Sequence, residues 1–338
     1  MATRVVLHIG AMKSGTSFVQ ATLAANRETL AAQGVLFPGE RWRDQVLGVI
    51  DVLDQQRNGK KPARSIGAWQ RLVDEIAAWP GTAVISMEFL GPAKPANIER
   101  IVDSLAPAQV HVVLTVRDLA RNIPAMWQEE TQNYATWTWA QYVEDIEQGG
   151  PVKNSAGRAF WRHQDTPAIA KRWVEIVGRD RFTLITLPPP GADRGLLWRR
   201  FCSVLGIDPE SCQPAERSNP SLGAASALVM RALNERLGES GLSNGKYNRY
   251  VKHALAKRGL ATRKAQEPSI GFDAPWVKRR SKQMIKQFQK LDLHVVGDLA
   301  ELNPSPVKGV DPAGISEREQ LDAAIDGLAH LVRMWSRS

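Results

Sequence analysis

Apolar residues fall along the chain in two patterns. RVVLHI (Arg4 to Ile9), AVISM (Ala83 to Met87), VHVVLTV (Val110 to Val116) and the Arg181 to Thr186 stretch are short continuous runs with the β-branched content of buried strands. Between them apolar positions recur at helical spacing: after the Gly10 to Ser17 segment through Ala31, then over 65–78, 95–105, 122–148, 164–177 and 193–205. Buried strands alternating with helices predict an α/β fold, a central parallel sheet flanked by helices, with its core at 4–205. Beyond Pro214 the pattern is mainly helical (222–238, 246–260, 274–290), closing on a strand-like VVGDL from Val295 to Leu299. This helical part, 215–302, is read together with the core as one domain, 1–302. Pro304, Pro306, Gly309, Pro312 and Gly314 mark 303–314 as a linker. In the last segment, 315–338, Leu321, Ile325, Leu328, Val332 and Trp335 follow a 4-3-4-3 spacing. That predicts an amphipathic helix docked on its own domain, with homodimer formation as the alternative.

Composition narrows the class. In 338 residues, 43% are apolar and 23% charged, which excludes a disordered or collagen-like chain and leaves ample material for a core. Two cysteines, Cys202 and Cys212, exclude a disulfide scaffold and form no CxxC pair, so two reduced thiols are expected. No run approaches the ~18 apolar residues of a membrane span, and the Val5 to Ile9 run is too short for a signal peptide. A soluble, cytoplasmic protein with no integral membrane association is expected. The net charge of +9 is unevenly placed: 13 Lys/Arg stand against two acids between Lys246 and Lys290. There Arg279, Lys282, Lys286 and Lys290 form a basic stripe opposite Val277, Met284, Ile285, Phe288 and Leu291. Such a face is either simply solvated or attracts a polyanionic nucleotide or an acidic acceptor. No helix-turn-helix, finger or RNA-binding signature accompanies it, so nucleic acid is not expected as a partner.

Candidate chemistry concentrates at Gly10-Ala-Met-Lys-Ser-Gly-Thr-Ser17, between the first strand and the first helix. A helix N-terminus offers backbone N–H groups and a dipole that favours an anion. Gly10 and Gly15 permit tight turning, Thr16 and Ser17 add hydroxyls, and Lys13 adds a full positive charge. The GxxxxG spacing of a nucleotide-hydrolysing P-loop is kept, but Thr16 stands where that motif has lysine, and the lysine lies inside the loop.

Lys13-Ser14-Gly15-Thr16-Ser17 resembles the 5′-phosphosulfate loop of sulfotransferases that use 3′-phosphoadenosine 5′-phosphosulfate (PAPS). The resemblance covers 4–205. It implies a P-loop-like sulfotransferase fold, PAPS as donor, 3′,5′-adenosine bisphosphate as product, no metal, and PAPS binding by Lys13, Ser14, Gly15, Thr16 and Ser17. The family also pairs a strand-end arginine with a serine eight residues on, both for the 3′-phosphate. Arg117 at the end of VHVVLTV matches the arginine, but Ala125 replaces the serine. Arg121, Asn122 or the basic 246–264 segment are the replacements considered. Lys257-Arg258-Gly259 is similar to a basic cluster that some members use on the same phosphate.

Lys13 is expected to stabilise the leaving group. Glu88 closes AVISM at the strand edge where open α/β sheets place ligands, and glycan-modifying members carry their catalytic Glu there; it is the expected general base. Phe89-Leu90 follows it instead of the family's Lys-Ser/Thr. Ser86 is expected beside it, His163 in an Arg158 to Asp165 loop is a second base candidate, and His8 is expected to be a core histidine. Trp137, Trp139 and Trp161 surround a Gly149-Gly150-Pro151 break where an acceptor lid is possible, with core packing as the alternative. Loops at 41–64, 137–165 and 240–275 are expected to choose the acceptor, a small molecule or glycan. No HExxH, EF-hand or paired-His pattern marks a metal site. Two readings compete with a sulfotransferase: a P-loop kinase or NTPase with Asp118 as its Mg²⁺-holding acid, and a non-catalytic protein binding PAPS or an acidic glycan.

Overall fold

Six parallel strands form one sheet: β1 (Arg4–His8), β2 (Val35–Leu36), β3 (Thr82–Ser86), β4 (Gln109–Val116), β5 (Phe182–Thr186) and β6 (His294–Val296), in the order β2-β3-β1-β4-β5-β6. The structure is a computed structural model describing residues 2–56, 60–150, 152–153, 155–193, 195–215, 221–238 and 242–336. Pleating sends alternate side chains to opposite faces. Val5 and Leu7 of β1 join one apolar layer with Val110, Val112 and Leu114 of β4. Val6 and Val113 join the other. The first layer is covered by the helices Ala68–Ala78, Pro95–Ser104 and Thr166–Val177 through Leu72, Ile98 and Trp173. The second is covered by Thr16–Ala25 and Leu196–Leu205 through Val19, Leu23 and Phe201. Burial on both faces explains why the strands read as continuous apolar runs. The expected α/β architecture is thus the observed one.

The chain divides into two compact units. The first comprises Met1–Asp118, Arg162–Glu216 and Arg280–Asn303 and contains the whole sheet. The second comprises Leu119–Trp161, Arg217–Arg279 and Pro304–Ser338. It holds the helices Leu119–Thr131, Trp139–Glu147 and Ala224–Leu237, a π-helix at Tyr247–Gly259, and the C-terminal helix Glu317–Trp335. Within 303–314, Val307 bridges to Phe272 and Val310 to Ile270.

Several elements differ from the sequence expectation. The continuous helix over 122–148 is two helices, because Tyr134 takes a left-handed conformation and Thr138 with Gln141 forms a capping box that starts a new one. In the segments expected to choose the acceptor, Trp42–Val52 and Ala156–Gln164 are helices where loops were expected, while Trp139–Glu147 and Tyr247–Gly259 fall within the expected helical stretches 122–148 and 246–260. Residues 57–59, 151, 154 and 240–241 of those segments, and with 151 the proline of the expected lid break, lie outside the described residues. The C-terminal helix is present, but among the described residues its large apolar stripe is exposed, not buried. Ala323 and Gly327 form its buried face, and a Cβ added at Gly327 would lie 2.8 Å from Leu255 Cδ1. Small residues allow this close approach, and Arg263 pairs with Asp326 beside it. Leu321, Ile325, Leu328, Val332 and Trp335 remain exposed.

The carboxyl end of β5 is anchored by a bidentate ion pair. Arg200 donates to Glu301 at 2.7 and 2.8 Å and to the Thr186 carbonyl at 2.7 Å. Burial alone would raise the Glu301 carboxyl, but hydrogen bonds from Arg200 and Thr186 outweigh it and hold its pKa below the ordinary value. Arg200→Leu should therefore destabilise the protein by roughly 1–2 kcal/mol at pH 7, since it leaves a half-buried carboxylate without its two charge-assisted hydrogen bonds. A depressed carboxyl pKa stabilises above the unfolded value and loses that contribution as pH falls, so the penalty should shrink below about pH 4. Urea unfolding of both proteins at the two pH values measures this.

Candidate functional site

The loop from Gly10 to Ser17 continues directly from the pairing of β1 with β4. Ala11 N donates to the Thr115 carbonyl at 2.7 Å, and Thr115 N donates to the Gly10 carbonyl at 2.6 Å. Strand order reverses about β1: the chain runs to β2 and β3 on one side, then crosses to β4 on the other. Open α/β sheets bind ligands at such a switch point, beyond the carboxyl ends of the strands.

Left-handed conformations at Gly10 (φ 111°), Lys13 (φ 61°) and Gly15 (φ 84°) shape the turn. Gly15 is the N-cap of the Thr16–Ala25 helix, with no side-chain cap and no acid in the first turn. The amides of Thr16 and Ser17 therefore precede the first intrahelical acceptor, as helix geometry requires. The loop carbonyls, by contrast, are taken. Thr115 Oγ1 donates to Gly10 O at 2.8 Å, Gln164 Nε2 to Met12 O at 2.8 Å and Arg117 Nη1 to Lys13 O at 3.2 Å. Ser14 is fully buried, and its Oγ has no hydrogen-bond partner among the described residues. A turn with occupied carbonyls, an uncapped helix start and a buried unsatisfied hydroxyl fits an oxyanion ligand.

Beneath the loop, polar side chains of three neighbouring strands join through His8. His8 Nδ1 lies 2.7 Å from Ser86 Oγ, and Nε2 lies 3.2 Å from Thr115 Oγ1. Burial holds the His8 pKa down to about 3, so the ring is neutral at ordinary pH. Thr115 spends its one hydroxyl hydrogen on Gly10 O, so it accepts from Nε2–H, and Nδ1 accepts from Ser86. The chain Ser86–His8–Thr115–Gly10 thus points every hydrogen toward the loop. His8 is the expected core histidine. Ser86 is fully buried and belongs to this support, not to the accessible site.

Glu88 follows β3 on the other side of β1 and begins a short 3₁₀ turn, Glu88–Leu90. It approaches the loop closely: a Cβ on Gly10 would lie 3.2 Å from Glu88 Cβ and 3.3 Å from its Cα. Gln20, on the first helix, donates from Nε2 to Glu88 Oε2 at 2.9 Å and to the Ser86 carbonyl at 3.0 Å. Its own Oε1 accepts from Trp42 Nε1 at 3.1 Å, and Trp42 is 46% exposed. The helix that begins at the Gly10 to Ser17 loop therefore also fixes the carboxylate. Glu88 is half-buried, and among the described residues its Oε1 is left for a further donor.

Lys13, Ser14, Gly15, Thr16 and Ser17 share the loop, Arg117 holds it, and Glu88 flanks it. His163 lies on the Ala156–Gln164 helix, not in a loop; burial, reinforced by Arg162, lowers its pKa to about 4, and its Nδ1 is buried without a partner among the described residues. Trp139 is buried, stacked with Tyr142 and edge-on to Phe272, so it is core. Trp161 donates to the Ile146 carbonyl, and the Trp137 carbonyl accepts from Trp127. Gly259 of the Lys257-Arg258-Gly259 cluster packs under His330, which lies 3.1 Å from an added Cβ. Arg279, Lys282, Lys286 and Lys290 form the expected exposed stripe on the Pro275–Leu291 helix. Among the described residues no three His, Cys, Asp or Glu side chains gather at metal-ligand distance, and no helix is long and apolar enough to cross a membrane.

Sequence reasoning missed Gln20, Trp42, Thr115 and Gln164. Thr115 had a signal: a lone polar residue near the carboxyl end of a buried strand. Gln20 had a weaker one, one turn beyond Thr16.

No family model matches the chain, and no curated protein matches it in sequence. Among solved structures it is similar to a sulfotransferase from Alicyclobacillus acidocaldarius, at 14% identity, with 73% of this chain and 100% of that one covered and a TM-score of 0.44.

Thr115→Val should cost about 1–3 kcal/mol, because it strands the His8 Nε2–H and removes a bond to Gly10 O. It should also weaken anion binding at the loop. Urea unfolding and titration with 3′,5′-adenosine bisphosphate measure the two effects; unchanged values in both would remove the supporting role of this network.

Proposed function

We propose that the protein is a PAPS-dependent sulfotransferase acting on a hydroxyl or amine of a small-molecule or glycan acceptor. The observation that carries this reading is the loop itself: Lys13 in a glycine-hinged turn whose carbonyls are held by Thr115, Gln164 and Arg117, with Glu88 close against Gly10. When bound, PAPS supplies a sulfuryl group already joined to a phosphate leaving group. The Thr16 and Ser17 amides and the Ser14 hydroxyl would hold the 5′ oxyanions. Arg117, at the end of β4, orders the loop and is the residue assigned to the 3′-phosphate.

Glu88 takes the acceptor proton as the new bond from acceptor to sulfur forms. Lys13 meets the negative charge that develops on the bridging oxygen as the sulfur–oxygen bond to the phosphate breaks. Gln20 is a positioning residue: it holds Glu88 Oε2, leaving Oε1 for the acceptor.

Calorimetry without added metal should find 3′,5′-adenosine bisphosphate bound at least about tenfold tighter than AMP or ATP, a difference of roughly 1.4 kcal/mol. Lys13→Ala should weaken that binding and abolish transfer with the fold intact. A preference for ATP that requires Mg²⁺ would replace this reading with a phosphoryl-transfer enzyme, and tight bisphosphate binding without transfer to any screened acceptor would favour a binding protein.

Glu88→Gln should leave bisphosphate binding unchanged and lower kcat by about 10²–10⁴-fold. Gln20→Leu should lower kcat less and shift its pH dependence, since it changes only how the carboxylate is held. Steady-state kinetics with a radiolabelled donor measure both, and a loss confined to nucleotide affinity would reassign Glu88.

A further inference from the structure

The helix Glu317–Trp335 carries two apolar faces, and the fold uses the smaller. Ala323 and Gly327 pack inward, while Leu321, Ile325, Leu328, Val332 and Trp335 are each 52–62% exposed in one continuous stripe. Scattered exposed leucines need no explanation, but a contiguous stripe of five large side chains does. Their 4-3-4-3 spacing is the seam of a coiled coil, with Ile325 and Val332 at one core position and Leu321 and Leu328 at the other. The seam runs along a helix of 19 residues, ~28 Å long.

We infer that this stripe joins two copies of the chain in an antiparallel helix pair. Self-complementarity follows from the register. With the two-fold axis between Asp326 and Gly327, Ile325 meets the partner's Leu328, Leu321 meets the partner's Val332, and Arg318 meets the ring of the partner's Trp335. A parallel pair would instead oppose Arg318 to the partner's Arg318 and Glu317 to the partner's Asp322. Charge along the helix favours the same choice: Glu317, Glu319 and Asp322 lie in its first half and Arg333 near its end, so reversal sets unlike ends together. Burying the stripe on both copies removes on the order of 1,000 Å², the lower limit of a specific interface, which suits micromolar association. The acidic flank argues against an anionic lipid surface, for which interfacial helices carry Lys and Arg.

Sedimentation equilibrium of the full chain from about 1 to 100 µM should show a reversible shift from 37.4 kDa to twice that mass. Leu328→Glu and Ile325→Lys should each leave the far-UV spectrum unchanged, since both positions are exposed, and hold the chain at the monomer mass. Mixing the two variants should restore the dimer, because only the antiparallel register places the introduced carboxylate of one chain against the introduced ammonium of the other. Three results would overturn the inference: a wild-type monomer at 100 µM, a dimer that neither variant disturbs, or flotation of the wild-type chain with phosphatidylglycerol vesicles as a monomer. Failure of mixing to restore the dimer would overturn the antiparallel register.

Discussion

The Gly10 to Ser17 loop depends on where its carbonyls go. A turn this tight at the carboxyl edge of a sheet brings several carbonyl oxygens together, and any that pointed into the site would repel an anion. Here Thr115, Gln164 and Arg117 draw the carbonyls of Gly10, Met12 and Lys13 to themselves, two from the end of β4 and one from the Ala156–Gln164 helix. The left-handed backbone at Gly10, Lys13 and Gly15 follows from that orientation. At Gly15 the position also has little room, with an added Cβ 2.4 Å from Leu197 Cδ2. That leucine can move, so the conformational demand matters more than the contact.

The same constraint couples the loop to the carboxylate beside it. The Thr16–Ala25 helix starts at Gly15 and presents Gln20 one turn later, where its amide reaches Glu88 and the Ser86 carbonyl together. Ser86 is bound to His8, and His8 through Thr115 to Gly10 O. Loop and carboxylate are therefore two outlets of one buried network. With a pKa of about 3, His8 stays neutral, so the network does not change its proton pattern across the ordinary working range. On the far side, Arg200 and Glu301 lock the end of β5, from which Leu187 reaches Gly15.

In the second unit, helix packing is decided by size as much as by hydrophobicity. The Glu317–Trp335 helix could bury either its large stripe or its Ala323–Gly327 face, and close approach to Leu255 and Leu260 selects the small one. Gly259 repeats the device where His330 lies against the π-helix. Hydrophobic periodicity identifies such a helix and its stripe, but it assumes that the most apolar face goes inward. Dispersion contacts made by a glycine-lined face at short range are invisible to that pattern.

By itself, the sequence determined the four central strands β1, β3, β4 and β5, because burial on both faces writes a continuous apolar run such as RVVLH or VHVVLTV; the two-residue β2 leaves no such run, and β6 lies at His294–Val296 rather than Val295 to Leu299. It also determined the loop, because a glycine pair spaced around Lys13 between a strand and a helix is a local signal. The basic stripe from Arg279 to Lys290 was legible for the same reason: helical spacing along one segment settles which residues share a face. Tertiary structure decided what holds those parts in place. Gln20 and Glu88 are 68 residues apart, Met12 and Gln164 are 152 apart, and neither pairing leaves a periodic trace in the chain. Local patterns record which face of an element is buried; they do not record which polar group of another element arrives to satisfy it. That is set only when the strands come into register and the helices close over them.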